Sequence, residues 1–188
     1  MIDALANRIA DYVAENDETA DHEIIAYGAS LLIMAVVTYT TFIASALLFG
    51  VLREMLIAIG VFILMRATVG GLHANHRATC LITYSGILYF SIFFAGILNM
   101  SWHKILVMYI INIALLILYA PGDTAEQPMV KFRLTRKLLG LVFLSCIFAA
   151  PMFFSGIHTD INILLFISTW TCVSLHPFIY KVFGCKRS

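Results

Sequence analysis

Apolar residues in this chain come in long blocks and not in alternation. Between Ile24 and Leu52, and again between Ile161 and Tyr180, no Asp, Glu, Lys or Arg interrupts the run. Each run reaches the roughly 20 residues that a helix needs to cross a bilayer. Charges and helix breakers cut the remainder, so that six apolar segments emerge near 24–50, 55–69, 81–98, 105–120, 138–155 and 161–180. No period-2 alternation of the kind that builds a β-barrel competes with them. A backbone in lipid must satisfy its own hydrogen bonds, which a helix does within one segment. The pattern therefore predicts an all-α, polytopic integral membrane protein with six membrane segments in a single membrane domain, 1–188. The second segment stands apart: it is short, opens with Arg53 and Glu54, carries Arg66 and ends in Gly70-Gly71. It is either a full span or one leg of a re-entrant hairpin, which would leave four spans plus the hairpin.

Ahead of the first block, residues 1–23 form a separate amphipathic segment. Ile2, Leu5, Ile9, Tyr12 and Val13 recur at helical spacing, with Asp3, Asn7, Arg8, Asp11 and Glu15 opposite. This reads as a helix lying in the membrane interface. Its polar face is acidic, which repels anionic lipid and suits a basic amphipathic helix from a partner; capping of the bundle is the alternative. The acid-rich N-terminus has no basic n-region, so the first apolar run is expected to remain in the mature protein.

Composition agrees with the pattern: 61% of the residues are hydrophobic and only 12% are charged, against about 25% charged in an ordinary soluble domain. A net charge of +1 says nothing by itself about partners, and no nucleic-acid partner is expected; the placement of the charges is informative. Lys131, Arg133, Arg136 and Lys137 cluster in the loop 121–137, Lys181, Lys186 and Arg187 in the tail, and Arg66 and Arg77 around the second break. Basic loops stay cytoplasmic, so residues 66–80, the basic loop 121–137 and both termini are expected inside. The sparsely basic turns near Lys104 and Asp160 are expected outside. Of the four cysteines, Cys146 and Cys172 sit mid-segment and read as small core hydrophobes, and Cys185 as an exposed thiol or an acylation site beside basic residues. Cys80 alone has cationic company.

That company is the stretch RATVGGLHANHRATC, Arg66 to Cys80. A thiol becomes a nucleophile when a neighbouring base or positive charge favours its thiolate, and His73, His76, Arg66 and Arg77 all lie nearby. His76 is one helical turn from Cys80. His73, seven residues away, would stand roughly 10.5 Å along a straight helix, so a His73–Cys80 pair requires a bend. Gly70-Gly71 and Asn75 supply backbone that tolerates one. A helix starting near Thr79 would place Cys80 at its N-terminus, where free N–H groups stabilise a thiolate or an oxyanion. The H-x2-H-x3-C spacing also admits a metal, but a fourth ligand is missing nearby, so no metal and no cofactor is expected. Asp123, Asn75, Ser85 and Glu126 are candidates to orient the imidazole.

The arrangement Arg66, Gly70, Gly71, His73, Cys80, R-x3-G-G-x-H-x6-C, followed by YAPGDTAEQP at Tyr119–Pro128 and a basic run, resembles the accessory gene regulator B (AgrB-like) family over nearly the whole chain. The resemblance implies a membrane-embedded cysteine endopeptidase, a thiol protease of peptide-pheromone maturation in the cell membrane of a Gram-positive bacterium. Such an enzyme cleaves a quorum-sensing pro-peptide at its C-terminal side and, through a thioester, promotes cyclisation to a thiolactone or lactone. The resemblance selects His73 and Cys80 as the catalytic pair and leaves His76 aside. Its partners would be an AgrD-like precursor peptide, the lipid bilayer and, in a homodimer, a second copy. Arg66 and Arg77, with Gly70 and Gly71, are the expected substrate-binding positions, and Lys131 to Lys137 a second basic set for an acidic peptide tail. A small transporter or peptide-export helper without covalent catalysis is the alternative.

Overall fold

A computed structural model describes residues 2–17, 21–71, 77–98, 100–122, 132–153 and 158–184, apart from the side chains at 77, 78, 80 and 158. The described residues form eight helices, and the chain divides into two compact units, Met1–Gly50 and Val51–Ser188. Each of the six predicted apolar segments corresponds to one long helix, α2 to α7.

The first unit is a helical hairpin of α1 (Ile2–Asn16) and α2 (His22–Phe49). Asp21 caps α2, its carboxylate accepting from the Glu23 and Ile24 amides at 2.9 and 3.3 Å, and Gly50 ends it in the left-handed region at φ 69°. The helices run antiparallel: the Ser30 hydroxyl donates to Asp3 at 3.5 Å, while His22 Nε2 lies 2.8 Å from Asp11. This contact divides the apolar face of α1. Ala6 and Ala10, flanked by half-buried Ile2 and Val13, are buried in the hairpin, whereas Leu5, Ile9 and Tyr12 remain exposed. Small side chains at i and i+4 allow the close approach. The sequence pattern assigned all five large apolar residues to a single surface; in the hairpin only one flank of that surface is covered.

The second unit contains α3 (Leu52–Val69), α4 (Arg77–Ile97), α5 (Trp102–Tyr119), α6 (Arg133–Phe153), α7 (His158–Val173) and the single-turn α8 (Pro177–Val182). Its core is built on α3 and α7. Met55, Ala58, Phe62, Met65 and Val69 of α3, with Ile163, Leu165 and Ile167 of α7, are all buried. The second apolar segment is thus one continuous helix of 18 residues, about 27 Å long. Among the described residues, α2, α5 and α6 are long and apolar enough to cross a membrane; α4 and α7 carry shorter apolar stretches, 81–97 and 159–173. Hydrogen bonds link the apolar helices: Asn112 Nδ2 donates to Thr169 Oγ1 at 2.8 Å, and the Tyr109 and Ser145 hydroxyls meet at 2.9 Å.

Two contacts define one end of this unit. Arg53, at the start of α3, pairs with Asp160, at the start of α7, and Asn162 Nδ2 donates to the Ala95 and Leu98 carbonyls at the end of α4 at 3.2 and 3.0 Å. The opposite end gathers the Gly70-Gly71 turn, the start of α4, Pro121-Gly122, the start of α6 and α8.

Three expectations are corrected. The sixth segment does not continue to Tyr180: α7 stops at Val173, and His176 is extended (φ −67°, ψ 133°). The ring of Pro177 disfavours helical backbone in the residue before it. His176 Nδ1 then accepts from the Phe178 amide at 3.2 Å and starts α8. Arg133, Arg136 and Lys137, assigned to the loop 121–137, lie in the first turns of α6, where Arg, Lys and Leu are good helix formers. Cys172 is buried as expected, but Cys146 faces outward, because its neighbours Ile147 and Phe148 occupy the buried side of α6.

Candidate active site at the Gly70-Gly71 turn

Helix α3 ends because Gly70 takes φ 78°, ψ −149° and Gly71 φ 150°, a region that side-chain-bearing residues rarely enter. The Gly70 amide closes the helix onto the Arg66 carbonyl at 3.0 Å. A short parallel bridge then joins the turn to a segment fifty residues on: the Gly71 amide donates to the Gly122 carbonyl at 3.1 Å, and the Gly122 amide to the Val69 carbonyl at 2.8 Å. All three glycines are buried. At Gly122 a Cβ would stand 2.6 Å from Leu175 Cδ2 and 2.6 Å from the Tyr180 hydroxyl. Two sequence features that looked independent, the Gly-Gly pair and the APG of Ala120–Gly122, are therefore one structural element.

Arg66 projects from the last turn of α3 beside this bridge and is half-buried. Its guanidinium donates to the Tyr84 hydroxyl, and its Cζ lies 4.9 Å from the centroid of the Tyr84 ring and 5.7 Å from that of Phe62. Aromatic faces hold a cation by their negative quadrupole, so this arginine has a definite position between α3 and α4. Beneath it a cavity of about 160 Å³ opens between α3, α4, α7 and α8, bounded by Phe62, Tyr84, Ile87, Trp170, Ile179 and Phe183.

Helix α4 begins at Arg77, two residues before the start expected near Thr79, and Cys80 falls in its first turn. The first amides of a helix have no intrahelical acceptor and carry the positive end of its dipole. His73, Asn75, His76, Asp123 and Glu126 lie outside the described residues, as do the side chains of Arg77 and Cys80. Of the candidates to orient the imidazole, Ser85 is described, and its hydroxyl donates to the Leu81 carbonyl at 2.7 Å.

Sequence reasoning had marked Gly70, Gly71 and Arg66, but not Gly122, Phe62, Tyr84 or the walls from α7 and α8. A Pro-Gly dipeptide closing an apolar helix was the available signal for Gly122. Nothing in the sequence indicates that Tyr84, rather than its neighbour Tyr89, receives Arg66.

No solved structure matches the chain. A relative from Clostridium acetobutylicum described as AgrB-like is 28% identical over 142 residues, covering 72% of this chain and 66% of the relative. The match thus spans just under two thirds of that relative's length. The family model described as accessory gene regulator B matches residues 6–175, which takes in the Gly70-Gly71 turn, Cys80 and Gly122, and the chain belongs to the accessory gene regulator B family.

Proposed function

We propose that this protein is a membrane-embedded cysteine endopeptidase and cyclase acting on a ribosomally made signal-peptide precursor. The observation that carries this reading is the position of Cys80 in the first turn of α4, the helix that follows the end of α3 at Gly70-Gly71, in a member of the accessory gene regulator B family. His73 takes the Cys80 proton, and the thiolate attacks the carbonyl carbon of the scissile peptide bond. Amides at the start of α4 stabilise the oxyanion. The C–N bond then breaks, the leaving amine receives the proton from His73, and the acyl group remains on Cys80 as a thioester. A thiol or hydroxyl of the same peptide next attacks the thioester carbonyl as His73 takes its proton; the C–S bond to Cys80 breaks, the ring closes, and Cys80 recovers the proton from His73. Ring closure outruns hydrolysis where water is scarce and the nucleophile is tethered, which a site at a membrane surface provides. Arg66 and Arg77, with Gly70 and Gly71, contribute to substrate binding, and the basic first turns of α6 suit an acidic tail. Co-expression with a precursor peptide, followed by mass spectrometry, tests the reading. Cleaved precursor and an acyl adduct on Cys80 are expected, and export of uncleaved precursor would overturn it.

Orientation follows from charge. Arg66, Arg133, Arg136, Lys137 and Lys181 lie at the end of the second unit that holds the Gly70-Gly71 turn, and the positive-inside bias makes that end cytoplasmic. Single cysteines introduced at 124 or 187 are expected to react with membrane-impermeant maleimide only after cell lysis, and one at 103 in intact cells. Labelling of position 124 in intact cells would invert the topology.

Helix α1 receives a basic amphipathic leader of the precursor. Asp11 and Glu15 are exposed on it, and Asp3 and Asp11 also link α1 to α2. Reversing Asp3, Asp11 and Glu15 to Lys is expected to slow processing of the intact precursor about tenfold, about 1.4 kcal/mol, with little effect on a leaderless peptide. Equal loss on both substrates would leave α1 only the role of stabilising the hairpin.

A further inference from the structure

The cavity beneath Arg66 stands in register with Cys80. Thr83, Tyr84 and Ile87, which bound it, follow Cys80 on α4 at i+3, i+4 and i+7, so all four positions share one helix face. The first of them is about 5 Å farther along the axis, roughly the reach of a side chain attached next to a carbonyl held at Cys80. We infer that this cavity is the specificity pocket for the precursor residue whose carbonyl becomes the thioester, and that it selects a large apolar side chain of the size of Leu or Phe. The inference rests on the proposal that Cys80 is the nucleophile.

Three observations set the chemistry of the occupant. The wall is apolar: Phe62, Ile87, Trp170, Val173, Ile179 and Phe183 provide carbon surface. Four of its polar side chains are already engaged, since the Thr171 and Ser174 hydroxyls donate to the Ile167 and Thr171 carbonyls at 2.8 and 2.7 Å, and Arg66 donates to Tyr84. A charged or amide side chain would therefore lose its hydration with little compensation. The volume of about 160 Å³ is close to that of an apolar cavity of about 150 Å³ that takes up benzene, which fits one aromatic or branched aliphatic group.

The acyl side is favoured over the leaving side by the order of the reaction. The thioester must be held until the ring closes, whereas the leaving segment must depart first. A pocket on the acyl side holds the fragment that has to stay and orients its carbonyl.

The test uses full-length protein in proteoliposomes and precursors that differ only at the residue on the acyl side of the cleaved bond. Phe and Leu precursors are expected to have kcat/KM about 100-fold above the Ala precursor, on the scale of discrimination that apolar pockets reach, and an Asp precursor to be cleaved still less. Filling the cavity from two different helices, by Ile87→Trp and by Val173→Phe, is expected to collapse the Phe-to-Ala ratio within each variant to below about tenfold. Photo-crosslinking requires no variant: a benzoylphenylalanine at that position of the precursor is expected to label the peptides containing Trp170 or Phe183 in the native protein. Equal rates for all four precursors, an unchanged ratio in the filled variants, or crosslinking to lipid or to other helices would each overturn the pocket. If those results occur while Cys80→Ser remains inactive, the pocket alone fails. If Cys80→Ser still cleaves, the proposed chemistry fails as well.

Discussion

Cys80→Ser and His73→Ala are each expected to abolish cleavage of the precursor, while His76→Ala retains substantial activity. A serine hydroxyl in place of the thiolate loses nearly all nucleophilic character at neutral pH. Removal of the general base costs about 10²- to 10⁴-fold. Nucleophile and base act as a unit, so Cys80→Ser with His73→Ala should be scarcely worse than Cys80→Ser alone. The measurement is the fraction of precursor cleaved in membranes from cells making each variant, with the protein amount checked by immunoblot. The contrast between the two histidines discriminates. One helical turn separates His76 from Cys80, so a regular helix would favour His76, whereas His73 needs the break that begins at Gly70. Full activity of His73→Ala with loss in His76→Ala would reassign the base.

Gly122→Ala is expected to lower both thermal stability and processing. Its new Cβ would meet Leu175 Cδ2 and the Tyr180 hydroxyl at 2.6 Å, with the Gly71 amide nitrogen at 3.4 Å behind it. Overpacking of this kind costs about 1–3 kcal/mol. If the segment shifts instead, the two hydrogen bonds of the Gly71–Gly122 bridge weaken, each worth about 1 kcal/mol. The turn that precedes the proposed nucleophile Cys80 moves with it, and a displacement of about 1 Å can cost about 100-fold in rate. Tyr180→Phe removes one of the two clashing atoms, and in the double variant it should restore part of the stability. Gly86→Ala is the control, because nothing lies within 4 Å of its added Cβ and alanine favours a helix. Thermal unfolding in detergent and precursor cleavage are read together. A Gly122→Ala protein as stable and active as the parent would mean that the bridge has no positioning role.

The helical class and the six apolar blocks were legible because each long segment has its own signature: an uninterrupted apolar run bounded by charge or glycine. Gly70-Gly71 as the end of α3 was legible for the same local reason, since backbone at φ 78° and 150° has few other occupants. Where neighbours rather than local preference decide, the pattern misled. The apolar run to Tyr180 concealed the stop at Val173, because Ser174, Leu175 and His176 are uncharged and the effect of Pro177 on its predecessor is invisible to hydropathy. The large apolar residues of α1 pointed to one continuous surface, but Ala6 and Ala10, the least conspicuous members of that face, are the ones buried in the hairpin.

By itself the sequence determined that this chain is helical, that it carries membrane-length apolar helices, and that a cluster of Arg, His and Cys interrupts them between Arg66 and Cys80. These properties depend on residues close together along the chain, through helical period, backbone freedom and charge. Only the tertiary structure decided that α3, the most charged of the apolar segments, belongs to the core, that Gly122 closes against the Gly70-Gly71 turn, and that Arg66 lies over Tyr84 above a cavity walled by four helices. Those pairings join residues dozens of positions apart. They follow from which surfaces fit together once the helices pack, and a one-dimensional pattern of apolar and polar positions carries no information about such fit.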